Sequence, residues 1–424
     1  MSKLIITGGR RLRGRIRVAG NKNTAAPVLA GALLTDKPVR LSNLPDIEDV
    51  RVFADMLRGL GVTIESDAAV WQVNAASVTS SRPDRRLARQ IRMSLLLAGP
   101  LLARFGRVLL PFPGGDVIGR RRVDTHLQAL EALGASVEVT REGYGLQAGR
   151  LRGAEIFLDE MSVTATENTV LAAVLAEGQT SIRNAASEPH VQDLCHFLNG
   201  LGARIDGIGT NVLTIDGVGS LAGGEFEIGP DYIETGSLIG LAAATGSPLR
   251  IVDCRPADHA MTRIMYGRLG IRWTVEGNDI VVGEGQRLEV VDDFGHAIPK
   301  IDDAPWPGFP ADLIPIALVV ATQARGSILI HEKLFESRLY FVDRLIQMGA
   351  RVVLCDPHRA VIVGPARLYG QDMASPDIRA GMALLIAALC AEGRSVIRHV
   401  QQIDRGYERI DERLAAIGAE IRRE

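Results

Sequence analysis

The sequence predicts an α/β fold of two domains, each made of three repeated units with buried helices and outward-facing sheets. Three observations predict it. First, a helical pattern ending in apolar-Gly-apolar and running into a strand occurs six times, as "MLRGLGVTIES", "ALEALGASVEV", "FLNGLGARIDG", "MYGRLGIRWTV", "LIQMGARVVLC" and "RLAAIGAEIRR". The glycines are Gly61, Gly134, Gly202, Gly270, Gly349 and Gly418, separated by 73, 68, 68, 79 and 69 residues. Second, helices upstream, such as "VLAAVLAEGQTSIRNA", "LIGLAAATGSPLRIVD" and "LLIAALCAEGRSVIRH", have almost no polar face; a helix apolar all round must be buried on all sides. Third, 424 residues fit two or three domains. A solenoid of α/β repeats is the alternative, but solenoid repeats usually run about 20 to 45 residues, shorter than these.

Each repeat justifies its elements in order. An apolar helix comes first and a strand follows it. An amphipathic helix is next, and a glycine just past its end serves as a left-handed C-cap. The alternation after that glycine, as in Arg204-Ile205-Asp206, reads as a half-buried strand.

Composition bounds the function. Lys and Arg number 48 against 50 Asp and Glu, a formal charge of -2, which argues against a nucleic-acid partner because phosphate neutralisation needs a basic face. Four cysteines, Cys195, Cys254, Cys355 and Cys390, include no C-x-x-C pair, so neither a zinc knuckle nor a thioredoxin-type motif is suggested, and so few in a long chain fit a reducing compartment. The start "MSKLIITGGR" has too short an apolar run for a signal peptide. "IPIALVVAT" and "MALLIAALC" are too short to span a bilayer. The expectation is a soluble, cytoplasmic protein with no membrane partner.

The chemistry-bearing residues cluster at turns. In "GGDVIGRRRVDTH" two glycines lead to Asp116, and Arg120, Arg121 and Arg122 follow. The stretch comes after the strand "RVLLPF", and Asp124 to His126 open a helix, so the arginines lie at a loop-to-helix junction suited to an anion. In "VAGNKNTAAPVLAGALL" Asn21 or Asn23 can cap a helix beginning near Thr24. Lys22 there is either an anion ligand or a solvated turn residue. Arg92 rides on an apolar helix as a ligand or a snorkelling rim residue. Asp312, before the buried helix of "PGFPADLIPIALVVAT", is an N-cap or a general base. Arg338, Asp377, Arg379, Asp404 and Arg405 lie in later loops, as a converging anion site or as ordinary salt bridges.

These stretches together resemble the UDP-N-acetylglucosamine enolpyruvyl transferases, which share a superfamily with 5-enolpyruvylshikimate-3-phosphate synthase. The match runs from "GNKN" at Gly20 through "PGG-IG-R-VD-H", "SVTATEN", "PD-IE-GS", "PGFP-D", "FESR" and "D-RA" to "IDRGYERI". The resemblance implies two inside-out α/β barrels, residues 22–229 with a lid loop at about 112–124, and residues 1–21 plus 230–424, with the active site in the cleft between them. It implies transfer of the enolpyruvyl group of phosphoenolpyruvate to the 3-hydroxyl of UDP-N-acetylglucosamine, the first committed step of peptidoglycan synthesis.

By that resemblance Lys22, Arg121 and Arg405 hold phosphoenolpyruvate. Asn23, Arg92, Arg121, Arg122, Val123, Asp124, Thr125, Ser162 and Val163 hold the UDP-sugar, with Leu334 near the uridine end. Asp312 takes the proton of the 3-hydroxyl, and Arg338, Asp377 and Arg379 line the cleft. The family often has a cysteine, the residue alkylated by fosfomycin, where this chain has Asp116. Asp116 is then expected to be the acid that protonates C3, in a fosfomycin-insensitive enzyme. Other departures are Arg122 for a proline, Thr164 for a glycine, Tyr232 for an arginine, and Asp312-Leu313-Ile314-Pro315-Ile316 for "DMQAQ". The implied chemistry is addition then elimination, and it requires no metal or organic cofactor. Two other readings are a paralogue acting on another nucleotide, with an extra phosphate for Arg122, and a catalytically silent UDP-sugar-binding regulator.

Overall fold

The computed structural model describes residues 2–116, 118–119 and 121–424; Arg120 lies outside them. The chain divides into two compact units. The first holds Gly20–Asp116 and Arg121–Gly229; the second holds Met1–Ala19 and Pro230–Glu424, and Ile118 and Gly119 group with it. Gly20 and Asn21 therefore fall in the first unit, where Asn21 N donates to Gly229 O at 2.8 Å. Ile118 groups with the second because its carbonyl accepts from Ser337 N at 3.1 Å.

Each unit has its own apolar core. In the first, the helices Lys22–Gly31 and Val163–Ala173 are buried along nearly their whole length. In the second, Tyr232–Ala244, Ile314–Gln323 and Ile378–Cys390 are buried in the same way. Their mostly apolar surfaces leave little for water, and the polar side chains they carry, such as Lys22, Asn168 and Arg379, are buried with them.

Three sheets belong to each unit. Five are four-stranded, with one parallel pair at an edge and antiparallel pairs beyond it. The sixth, made by Arg107–Pro111, Gly143–Gln147 and Ser136–Val139, is three-stranded and antiparallel throughout. The last repeat ends at the strand Glu420–Arg423, and the first strand of the chain, Lys3–Thr7, pairs antiparallel with it and with Arg394–Arg398. The N-terminal strand thus takes the place that the second hairpin strand fills in other units.

The repeat is visible in the backbone. All six helix-end glycines have positive φ, from 79° at Gly270 to 104° at Gly61 and Gly349, the left-handed cap that a side chain resists. Four of the central strands end in a left-handed non-glycine residue, Asn43, Asn184, Asp253 and His399. The other two, Arg107–Pro111 and Gly326–His331, run instead into long links, residues 112–123 and 332–341. Those links carry the arginine loop and the segment from Leu334 to Arg338.

Candidate active site

In the first unit the helix starts at Lys22, not near Thr24, because Asn21 is its cap: Asn21 Oδ1 accepts from Asn23 N at 2.7 Å and from Thr24 N at 3.3 Å. Lys22 is not a solvated turn residue. Its ammonium lies 2.7 Å from Asp49 Oδ2, with side chains 10% and 3% exposed. Asp49 stands in the first turn of the helix Glu48–Leu60, where an acid is favoured. Sequence reasoning missed it, since nothing local marks an acid in a helical first turn as a partner for a lysine so far back.

The glycine loop is folded onto the segment before Arg92. Gly114 N donates to Ala88 O at 3.0 Å, and a Cβ at Gly114 would fall 1.8 Å from Arg89 O. Gly115 has φ +107°, so both positions demand glycine. Asp116, half-buried, follows directly. Arg92 holds the far arm of the loop: its Nη2 donates to Arg121 O at 3.0 Å and Arg122 O at 2.9 Å. It opens a 3₁₀ turn, Arg92–Leu97, ahead of the apolar helix Ala98–Phe105 rather than riding on it. Burial pulls the Arg92 guanidinium below its ordinary pKa, against the opposing pull of Tyr144 and Glu160.

Arg122 pairs with two acids, Asp124 Oδ2 at 3.1 Å and Asp159 Oδ2 at 2.8 Å. Thr125 Oγ1 donates to the other Asp159 oxygen at 2.7 Å. Asp159, absent from the sequence reading, thus joins the loop exit to the helix Asp124–Ala132, whose N-cap residue is Val123. Ser162 caps the helix Val163–Ala173, its Oγ accepting from Ala165 N at 3.4 Å.

His126 is a third residue that the sequence reading left without a role. It is 2% exposed. Gly99 N donates to Asn168 Oδ1 at 2.8 Å, and Asn168 Nδ2 donates to Leu95 O at 2.7 Å, which orients that amide. Asn168 Nδ2 then also donates to His126 Nδ1 at 3.0 Å. The imidazole is neutral, with Nε2–H facing Thr164 Oγ1 at 3.1 Å. Burial, and then the charge of Arg92, push its pKa down to about 3.

In the second unit Asp312 is not an N-cap. Pro310 and Leu313 occupy the cap positions of the 3₁₀ turn Ala311–Leu313 and of the helix Ile314–Gln323. The Asp312 carboxylate is held instead by two arginines: Arg338 Nη2 donates to Oδ1 and Arg379 Nε to Oδ2, each at 2.9 Å. These guanidiniums are 3% and 5% exposed, so this is no ordinary surface salt bridge. Burial is the largest single influence and opposes both charges, but the surrounding groups together outweigh it, Asp312 foremost, with Glu332 and Asp377 at Arg338 and Tyr407 and Asp231 at Arg379, so both arginines stay above their ordinary pKa. Arg379 also lies over the Tyr407 ring at 5.3 Å, and Arg338 over Phe335 at 4.9 Å. Asp377 is the N-cap of Ile378–Cys390, accepting from Arg379 N at 2.8 Å and Ala380 N at 2.9 Å. Arg405 follows the short helix Gln401–Asp404 and donates to Gln402 Oε1 at 3.0 Å. Leu334 is 43% exposed; its amide donates to Asp303 Oδ2 and Glu332 Oε1, both at 3.2 Å. Asp303 and Glu332 complete the residues that sequence reasoning missed.

Each unit therefore presents a desolvated cation set beside a carboxylate: Lys22 with Asp49 in the first, Arg338 and Arg379 with Asp312 in the second. Such groups can hold an anionic reactant and move a proton at a fixed oxygen. Among the described residues no helix is long and apolar enough to cross a membrane.

Known proteins share the sequence and the fold. The family model for EPSP synthase (3-phosphoshikimate 1-carboxyvinyltransferase) matches residues 6–414. The UDP-N-acetylglucosamine 1-carboxyvinyltransferase of Treponema denticola is 55% identical over 422 residues, covering 99% of each chain. That of Bradyrhizobium diazoefficiens is 56% identical over 420 residues, covering 99% of this chain and 97% of the relative. Of solved structures, the enolpyruvyl transferase NikO from Streptomyces tendae matches with a TM-score of 0.88 at 27% identity, over 100% of this chain and 98% of that one. The EPSP synthase from Acinetobacter baumannii matches in fold, with a TM-score of 0.75 at 18% identity over 100% of both chains. With full-length relatives on this scale, the chain belongs to the EPSP synthase family.

Proposed function

We propose that this protein is a UDP-N-acetylglucosamine 1-carboxyvinyltransferase. It transfers the enolpyruvyl group of phosphoenolpyruvate to the 3-hydroxyl of UDP-N-acetylglucosamine and releases phosphate, in cytoplasmic peptidoglycan synthesis. The observation that carries this reading is identity above half over the full length of relatives with that name. The fold reading that accompanies it, two inside-out barrels of three units each, is supported by the buried helices and by three sheets in each unit.

Lys22, Arg121 and Arg405 are assigned to phosphoenolpyruvate, whose phosphate and carboxylate need cations throughout the reaction. Asp116 donates a proton to C3, and C2 gains oxocarbenium character. The sugar 3-hydroxyl attacks C2 while Asp312 accepts its proton. Two arginine donors favour the ionised form of Asp312, the form a base requires, and fix its direction. Loss of a C3 proton and of phosphate from the tetrahedral adduct gives the enol ether. Arg92 acts on the loop as well as on the sugar nucleotide, since it holds the two carbonyls that follow Arg120. The pairing of Arg122 with Asp124 and Asp159 speaks against its serving an extra phosphate on a different nucleotide acceptor.

The test is phosphate release from phosphoenolpyruvate by purified protein, with and without UDP-N-acetylglucosamine, and with fosfomycin in parallel. Release that requires the UDP-sugar and ignores fosfomycin is expected. Absence of release with the UDP-sugar would refute the acceptor.

A further inference from the structure

A pair of buried carboxyl groups, Glu332 and Asp303, is linked to Asp312 through Arg338. Glu332 and Asp303 are both 0% exposed. Glu332 follows the strand Gly326–His331, where the long link begins, and its backbone is pinned on both sides to His358: Glu332 N donates to His358 O at 2.8 Å, and His358 Nδ1 bonds to Glu332 O at 2.8 Å. Glu332 Oε1 accepts from Leu334 N at 3.2 Å and Phe335 N at 3.1 Å. Asp303 accepts from Lys333 N at 2.5 Å and Leu334 N at 3.2 Å. Three consecutive amides of the link thus end on two carboxyl groups. Further along, Arg338 Nε lies 3.7 Å from Glu332 Oε2, beyond hydrogen-bond reach, and both atoms are buried without a hydrogen-bond partner. The same guanidinium holds Asp312 through Nη2.

We propose that Glu332 is a positioning residue for the transfer reaction: as the acid partner of Asp303 it sets the link that carries Leu334 and Arg338, and through Arg338 the direction of the Asp312 carboxylate. The inference rests on the function proposed above.

Physical chemistry favours the acid form. Two buried anions side by side repel unless they share a proton. Burial pushes the Glu332 carboxyl up to about 9, with the charge of Asp303 and a hydrogen bond to it adding to the rise; Arg338 and the Phe335 amide oppose it. Arg338 and Asp303 act on Glu332 directly, His358 bonds to its carbonyl oxygen, the carboxylates of Asp312 and Asp377 and the cation of Arg379 act on Arg338, and the Lys333 ammonium is turned to Asp302 at 3.0 Å. An ionised Glu332 would draw Arg338 away from Asp312. A proton on Glu332 leaves that guanidinium to its catalytic partner.

Glu332→Gln and Glu332→Ala separate this role from mere packing. Glutamine keeps an acceptor for the amides and a donor for Asp303, but cannot ionise. In phosphate-release assays Glu332→Gln is expected to keep kcat within about twofold near neutrality and to lack the fall near pH 9 expected of the wild type, whereas Glu332→Ala should lower kcat at least about tenfold, the scale of a misplaced catalytic group. Because the folded-state pKa is raised, the wild type sheds stability as pH rises from the ordinary glutamate value toward about 9; Glu332→Gln should lack that slope in thermal melts. A Gln variant as inactive as Ala, or one with the wild-type alkaline limb, would overturn the proposal. If Ala fails to fold, the Gln profile decides. The melts need no turnover, so a wild type that releases no phosphate refutes the function alone, while parallel wild-type and Gln melting curves across pH refute the paired acid.

Discussion

Arg379 Nε donates to Asp312 Oδ2 at 2.9 Å across 67 residues of sequence. The contact ties the proposed base to the first turn of the helix Ile378–Cys390, since Asp377 caps that helix through the Arg379 amide. Arg338 grips the other oxygen. Asp312 therefore has two duties, counter-charge for two buried guanidiniums and proton acceptor for the reaction.

The two duties give one substitution two measurable effects. Asp312→Asn leaves two buried cations short of a charge, which should cost roughly 2–4 kcal/mol of stability. It should also lower kcat about 10²- to 10⁴-fold, the usual contribution of a positioned base. Chemical denaturation and phosphate release on the same preparation measure both. A variant that loses stability yet keeps kcat would make Asp312 a structural counter-ion only.

Some of this was legible in the sequence, and the reason is locality. The six helix-end glycines announce themselves because a left-handed cap is decided by the residue that adopts it. Asn21 could be named as a possible cap for the same reason. For Asp312 the sequence leaves a cap and a base both open, because the arginines that hold it lie 26 and 67 residues away. The hold of Arg92 on the loop was invisible, since its acceptors are main-chain carbonyls that no residue type reveals. The pairing of the first strand with the last spans the whole chain and has no local signature.

Asp116 follows two glycines that leave no room for a side chain against Arg89 and Arg92. That packing makes its position a property of the loop and not of the residue. Asp116→Asn should abolish turnover and preserve UDP-sugar binding in calorimetry. Asp116→Cys should stay active and become fosfomycin-sensitive. A fully active Asn variant would remove Asp116 from the proton-transfer step. Gly114→Ala, which forces a Cβ onto Arg89 O, should impair turnover even with Asp116 intact.

Lys22 and Asp49 form a nearly dry ion pair at two helix starts. Removing one charge strands the other, at about 3–5 kcal/mol. Asp49→Asn should therefore destabilise the protein and, by freeing the Lys22 ammonium from its anchor, raise KM for phosphoenolpyruvate more than KM for the UDP-sugar. Equal effects on the two KM values would detach the pair from the phosphoenolpyruvate subsite.

His126 makes acid stability a test of the first unit. Its folded-state pKa is depressed from 6.5 to about 3. Below the unfolded value the unfolded chain takes up a proton that the folded one refuses, so stability present above about pH 6.5 is lost as pH falls toward 3. At about 1.4 kcal/mol per unit the full loss is on the order of 5 kcal/mol. His259, buried in the second unit and held at about 4, gives that unit an acid slope of its own that His126→Asn leaves in place. His126→Asn keeps an acceptor for the Asn168 amide but cannot titrate. Its stability near neutrality should be lower, through lost packing and the lost contact to Thr164, while its fall between pH 6.5 and 4 should be shallower than that of the wild type. Denaturation midpoints across that range decide it: parallel curves would mean that the imidazole is already protonated in the fold, and the Asn168 amide would then have to be turned to face it.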